Sequence, residues 1–242
     1  MKIIRTKDYA EMSQLACEHV MDAVKNKADI NLGLATGSTP EGMYECLIEN
    51  NKQGKVSFKK VTTFNLDEYI GLEPEHPNSY HYFMEENFFK HIDIQAENTH
   101  LPNGIADDFE KECLRYEKLI ESKGGIDLQI LGLGTNGHIA FNEPGSKFDS
   151  PTSIVDLAQA TLDANARFFD SIEDVPTQAV TMGIGSIMKA REIILLVSGE
   201  SKAEALAKTI NGEVTEDVPS SVLQNHSNVT IIADEAALKL VE

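Results

Sequence analysis

His138 stands in the run Gly132–Pro144, GLGTNGHIAFNEP, where glycines before it make a tight loop that displays the imidazole. With an unperturbed pKa of about 6.5, an imidazole gives and takes a proton near neutral pH. Asn136 and Glu143 are near enough in sequence to orient it by hydrogen bonding, which makes His138 a general acid/base candidate. The same run matches GxGxxG. A dinucleotide fingerprint, however, needs a long helix opening at the third glycine and an acidic residue at the end of the next strand. Pro144–Gly145 stop any helix almost at once, so a nicotinamide or flavin cofactor is not expected.

Other segments offer complementary chemistry. Thr36–Gly42 (TGSTPEG) joins an apolar run to a helical pattern. Gly37 permits a tight turn, Ser38 and Thr39 bring hydroxyls, and Pro40 suits the first helical position. Orphan N–H groups and the helix dipole there favour a phosphate, although a plain turn capped by Thr39 would read the same way. It is not a P-loop, since GxxxxGK[ST] is absent. Ser198–Lys202 (SGESK) repeats the theme with a lysine in the first turn, against the dipole, which points to anion binding. Arg167, in ANARFF, is a further candidate cation. In Asn65–Tyr69 (NLDEY) side chains alternate, so Asp67 and Glu68 point apart and at most one faces a site. A lone carboxylate at a strand end is ordinarily a cap or turn residue. There is no HExxH or HxH pair and the other histidines are scattered, so no catalytic metal is expected.

The elements that must position these groups read as a single α/β domain. Short apolar runs alternate with helical periodicity, which implies an open, mostly parallel twisted sheet with helices on both faces, Rossmann-like in layout. Strands are expected at Ile30–Ala35, Val61–Leu66, Leu128–Leu133, Ile193–Val197 and Val229–Ala233. Helices are expected from Asp8, with Glu11 completing a capping box, at Pro40–Glu49, around Phe109–Ile120, near Met182–Ala190, at Ser201–Ile210 and at Glu235–Val241. The less regular stretch Gly145–Pro176 is long for a loop in a compact domain and suggests a lid, roughly residues 150–182. Ligands of parallel sheets sit at the carboxyl ends of the strands, where TGSTPEG, DEY, GTNGHIAFNEP and SGESK all fall.

Bulk properties exclude several classes. The net charge of −18 argues against nucleic acid and anionic membrane surfaces as partners. No apolar run approaches transmembrane length or forms a signal peptide. Three separated cysteines, Cys17, Cys46 and Cys113, fit a reducing, cytoplasmic setting and suggest no disulfide framework.

Taken in order, ATGSTP, NLDEY, PNSYHYFM, LPNG, GHIAFNEPG, ANARFF, VTMGI and SGESKAEAL resemble the glucosamine-6-phosphate deaminase (isomerase) family over nearly the whole chain. The resemblance implies conversion of glucosamine 6-phosphate to fructose 6-phosphate and ammonia, in amino-sugar catabolism, on a sugar-phosphate isomerase/deaminase fold and without metal or cofactor. It implies Asp67 as the base that moves a proton between C2 and C1. His138 would open the pyranose ring, supported by Asn136 and Glu143. Gly37, Ser38, Thr39, Arg167 and Lys202 would hold the phosphate. Many members carry Asp where this chain has Asn136, which leaves any relay to an imidazolium leaning on Glu143. The hexameric, allosterically activated members have basic residues where this chain has Pro151, Ser153 and Val155. No activation by N-acetylglucosamine 6-phosphate is therefore expected, and a monomer or small homo-oligomer is. The alternative on this scaffold is a 6-phosphogluconolactonase or another sugar-phosphate isomerase. A non-catalytic sugar-phosphate-binding regulator would be expected to have lost the Asp67–His138 pair and to carry a DNA-binding or partner segment.

Overall fold

Short apolar runs suit strands buried on both faces, and in the computed structural model all five expected runs form strands, their bounds shifted by a residue or so. The structure describes residues 1–159, 162, 169, 171 and 174–241. The first half contains β1 (Lys2–Thr6), α1 (Tyr9–Asn26), β2 (Asn31–Leu34), α2 (Ser38–Lys52), β3 (Thr62–Asn65), β4 (Asp67–Tyr69), α3 (Tyr80–Asn87) and β5 (Thr99–His100). The second half contains α4 (Phe109–Ser122), β6 (Leu128–Gly132), β7 (Ser153–Asp156), β8 (Gln178–Thr181), α5 (Ile184–Ile187), β9 (Glu192–Val197), α6 (Ala203–Asn211) and β10 (Val229–Asp234).

Seven strands pair in parallel in the order β1-β10-β9-β6-β2-β3-β5. Alternation along β9 shows that both faces are covered. Ile194 and Leu196 pack with Met12 and Val20 of α1 and Met43 of α2. Ile193, Leu195 and Val197 pack with Tyr116 of α4 and Leu206 of α6 on the other side. The chain leaves β2 towards β3 on one side, whereas the sheet strand that follows β6 is β9 on the other. The loops after β2 and β6 therefore diverge, and that switch point is where parallel sheets open a binding crevice.

The structure corrects several expectations. Beyond the large sheet lies a small antiparallel one, β4-β8-β7. The DEY segment is thus a strand of its own rather than the tail of β3. The stretch read as irregular from residue 145 contains β7, and β7 and β8 anchor the two ends of the expected 150–182 lid. β1 was not anticipated, because a five-residue edge strand with mostly outward side chains gives little periodic signal. The segment after β10 makes turns, not a helix. Ala237, Leu238 and Val241 are buried, but so few residues support no propagated helix. Near residues 182–190 the α-helix covers only α5. Asp8 caps α1 by accepting the Glu11 N–H at 3.0 Å, while the Glu11 carboxylate accepts the Lys7 N–H at 2.6 Å instead of completing a strict capping box. Finally, Cys17 of α1 and Cys46 of α2 are joined as a disulfide, with Cα atoms 6.0 Å apart. Their separation of 29 residues hides the fact that the two helices pack side by side. Among the described residues no helix is long and apolar enough to cross a membrane.

Candidate active site

At the carboxyl ends of the central strands lies a cleft of about 790 Å³, lined by Gly37, Ser38 and Thr39, by Asp67, by Gly134 and His138, and by Lys202. Four separately expected segments therefore meet in one place. Asn136 and Glu143 stand behind His138 instead of lining the cleft. Arg167 lies outside the described residues.

The His138 loop is built for one imidazole orientation. Gly134 donates its N–H to the His138 carbonyl at 2.9 Å, and Gly137 closes the turn onto Gly134 at 3.0 Å. A Cβ on Gly134 would lie 2.2 Å from His138 Nδ1, so the ring needs that glycine. Nδ1 is 2.8 Å from Asn136 Oδ1. An amide oxygen only accepts, so Nδ1 carries the proton, and in the neutral ring Nε2 is the acceptor. Asn136 Nδ2 donates to Glu143 Oε2 at 2.6 Å, which fixes which way the amide faces. Glu143 Oε2 is itself 3.5 Å from Nδ1. Thus Asn136 is the direct partner of the ring, and the charge that steadies an imidazolium is supplied one bond behind it. Beyond His138, Ala140 takes a left-handed φ of 52° in the wall of the cleft. Such a conformation persists only where its surroundings enforce it. Asn142 does so, donating to the Ile139 and Met182 carbonyls at 2.9 Å each.

Asp67 opens β4 and pairs with Thr181 of β8. Thr181 Oγ1 also accepts the Phe141 N–H at 3.1 Å, and the Met182 N–H binds the Leu66 carbonyl at 2.7 Å. The end of β8 therefore holds the Asp67 and His138 segments against each other, the physical role of VTMGI. Asp67 faces the cleft whereas Glu68 does not, as alternation required. Burial, and next the neighbouring Glu68 charge, push the Asp67 carboxyl up to about 8. Aromatic rings supply much of the dry wall. Tyr80 lies 4.7 Å from Tyr69 and 6.1 Å from Phe141, ring to ring, and its hydroxyl donates to that of Tyr69 at 3.2 Å. Phe169 meets Tyr69 edge-on at 6.4 Å, which brings part of the expected lid to the cleft.

The expected phosphate end differs in detail from expectation. The N-cap of α2 is Gly37, at φ 88°, with no side-chain cap, so Thr39 is not the cap and Pro40 is third, not first, in the helix. Ser38 and Thr39 occupy the first two helical positions, where their N–H groups have no intrahelical partner. Tyr9 steadies this turn, its hydroxyl donating to the Ser38 carbonyl and accepting the Gly42 N–H, both at 2.8 Å. Across the cleft, Asp234 at the end of β10 accepts Ser198 Oγ at 2.5 Å and the Gly199 N–H at 3.0 Å, fixing the loop that delivers Lys202. Burial lowers the Lys202 ammonium below its usual value. Thr36, Tyr69, Tyr80, Phe141 and Phe169 also line the cleft. Sequence reasoning assigned the four aromatic residues no role, because nothing local distinguishes a wall aromatic from a core one. No cluster of potential metal ligands occurs among the described residues.

Comparison with known proteins agrees along the chain. The family model described as glucosamine-6-phosphate isomerases/6-phosphogluconolactonase matches residues 6–232. Glucosamine-6-phosphate deaminase of Oceanobacillus iheyensis is 58% identical, over 99% of this chain and 96% of that protein. A solved structure of a monomeric glucosamine-6-phosphate deaminase is 50% identical, with a TM-score of 0.97, over 99% of this chain and 100% of that one. The 6-phosphogluconolactonase from Trypanosoma cruzi shares the fold at 22% identity, with a TM-score of 0.81 over 99% of this chain and 96% of that one.

Proposed function

The chain belongs to the family of glucosamine-6-phosphate isomerases and 6-phosphogluconolactonases, and we propose that it is the deaminase that converts glucosamine 6-phosphate and water to fructose 6-phosphate and ammonia. One observation carries the reading: a single cleft unites an uncapped helix N-terminus and a buried lysine with two groups able to move protons, Asp67 and His138. Phosphate binds the N–H groups and hydroxyls of Ser38 and Thr39 at the turn Gly37 opens, with Lys202 and Arg167 as cations. That anchors the sugar with its other end towards Asp67 and His138.

In this reading His138 exchanges a proton with the ring oxygen through Nε2 and opens the pyranose. The Glu143–Asn136 pair holds the imidazole in that tautomer. Asp67, as carboxylate, takes the proton from C2 and returns one to C1, leaving an imine at C2. Water adds there, and ammonia leaves. An apolar wall of Tyr69, Tyr80, Phe141 and Phe169 excludes water from the proton transfer, with residues between β7 and β8 as the lid. Neither step calls for a metal or cofactor. The Pro151, Ser153 and Val155 positions support an enzyme without allosteric activation, a monomer or small homo-oligomer, and the cytoplasm is its proposed location.

A coupled assay tests the function. Purified protein given glucosamine 6-phosphate is expected to release ammonia and fructose 6-phosphate in equal amounts. Its hyperbolic kinetics are expected to be unchanged by N-acetylglucosamine 6-phosphate. Hydrolysis of 6-phosphogluconolactone without ammonia release would instead establish the alternative reaction, and sigmoidal kinetics relieved by the acetylated sugar would refute the absence of activation.

A further inference from the structure

Glu68 is the neighbour of Asp67, yet it points away from the cleft into the protein, its side chain 1% exposed. A buried carboxylate persists only when its oxygens are satisfied. Here its partners are N–H groups. Oε1 accepts from the backbone of Tyr69 at 2.8 Å and of Tyr80 at 2.9 Å. Oε2 accepts from the backbone of His81 at 2.9 Å and lies 2.7 Å from His81 Nδ1, which donates to a carboxylate.

Tyr80 and His81 are the first two residues of α3, whose N-terminal N–H groups would otherwise be orphans. The third, that of Tyr82, is taken by Ser79 Oγ at 3.0 Å. Glu68 thus fastens the strand bearing Asp67 to the helix bearing Tyr80, and the Tyr80 ring forms the cleft wall beside that carboxyl. The backing is equally tight. A Cβ on Gly104 would sit 2.2 Å from the Tyr69 carbonyl oxygen and 3.1 Å from Glu68 Cγ. NLDEY, PNSYHYFM and LPNG are accordingly three sides of one fastening.

We infer that Glu68, seconded by His81, is a positioning residue for the reaction: it sets Asp67 and Tyr80 in register across the cleft and keeps a fixed negative charge behind the base. This rests on Asp67 being the base of the proposed deaminase. Other titratable groups face Asp67 from Tyr80 of α3 and Tyr116 of α4, with Glu41 of α2, Tyr69 of β4, His138 and Lys202 lining the same cleft. Both of the tyrosines that face it are held neutral by burial, so the nearest like charge is that of Glu68.

Charge and reach separate in two variants. Glu68→Gln keeps the length but loses the charge. With the repulsion gone, the acid limb of kcat/KM is expected to move to lower pH. Glu68→Asp keeps the charge but falls short of α3. It should leave the limb in place while kcat drops about tenfold or more and KM stays within about threefold, because the phosphate turn is untouched. His81→Ala, at a half-exposed ring, removes one bond of four and is the readout if either Glu68 variant does not fold. It is expected to lower kcat about two- to fivefold at unchanged KM. An unmoved limb in folded Glu68→Gln overturns the inference, as does wild-type kcat in folded Glu68→Asp or, failing both, in His81→Ala. Asp67→Asn run in parallel separates the two levels. If that variant turns over normally, the assignment of the base is what fails. If it is inactive and the Glu68 limb is unmoved, only the role of Glu68 fails.

Discussion

Asp67→Asn sets two consequences of one burial against each other. The carboxyl moves from an ordinary 3.8 to about 8 because the folded protein desolvates it and places Glu68 beside it. Below pH 3.8 it is protonated in both folded and unfolded chains. Between there and about 8 only the unfolded chain gives up the proton, so this group's share of stability is lost as pH rises through that window. At about 1.36 kcal/mol per unit, the penalty at neutral pH reaches roughly 4 kcal/mol as a ceiling, part of it relaxed by water in the open cleft. Asparagine keeps the shape without the penalty. Half the ceiling, about 2 kcal/mol, corresponds to a Tm rise of roughly 4–8 °C for a chain of this size at pH 7–8, vanishing near pH 4. The same variant lacks the proposed base, so turnover should fall at least about a hundredfold while the sugar phosphate still binds. In the wild type, kcat/KM should climb about tenfold per unit towards pH 8 and then level, as expected of a base that works ionised. Thermal melts from pH 4 to 9, set beside the coupled ammonia assay, read both effects. A variant that is less stable at pH 8, or one with near-normal turnover, refutes the reasoning.

His138→Gln should lose turnover on the cyclic substrate yet recover much of it on an analogue fixed in the open-chain form. Equal loss on both would exclude ring opening as its task. Asp234→Asn should slacken the loop that carries Lys202, raising KM several-fold with kcat nearly kept, as loss of uniform binding does. Lys202→Ala should do the same more strongly. Falls in kcat alone, at unchanged KM, would remove both from the phosphate site.

Legibility in the sequence followed the range of the signal. The five central strands and α1, α2, α4 and α6 were readable because their apolar spacing is local. The large sheet's crevice followed, since glycine turns end β2, β6 and β9. The small sheet was not readable. β4 has three residues and pairs with β8, which follows only after α3, β5, α4, β6 and β7, so its pairing is wholly non-local. The Cys17–Cys46 contact was missed for the same reason, as it depends on which helices pack together. At the site, adjacency in sequence singled out Asn136, His138 and Glu143, and the structure joins those three by hydrogen bonds. From its own residues Asp67 looked like an ordinary turn residue, and only the family resemblance singled it out. What marks it is burial against Tyr80 and the charge of Glu68, and neither can be seen in five letters of sequence.

The Asn136 position shows why such departures have to be weighed in three dimensions. Read as a string, replacing a carboxylate by an amide beside a histidine removes the charge that an imidazolium needs. In the folded loop the amide stays in contact with the ring, and its other end is bound to Glu143, whose carboxylate is still 3.5 Å from Nδ1. Asparagine cannot accept a proton from His138, so it enforces the tautomer with Nε2 free and leaves the proton to move only towards the cleft. An aspartate here would stand within reach of Glu143, and two carboxylates so close resist ionising together. The amide avoids that repulsion and still passes the orienting hydrogen bond along. The charge absent at residue 136 therefore lies one residue further along the chain of contacts, at Glu143, and the proposed ring-opening role of His138 does not need it at position 136.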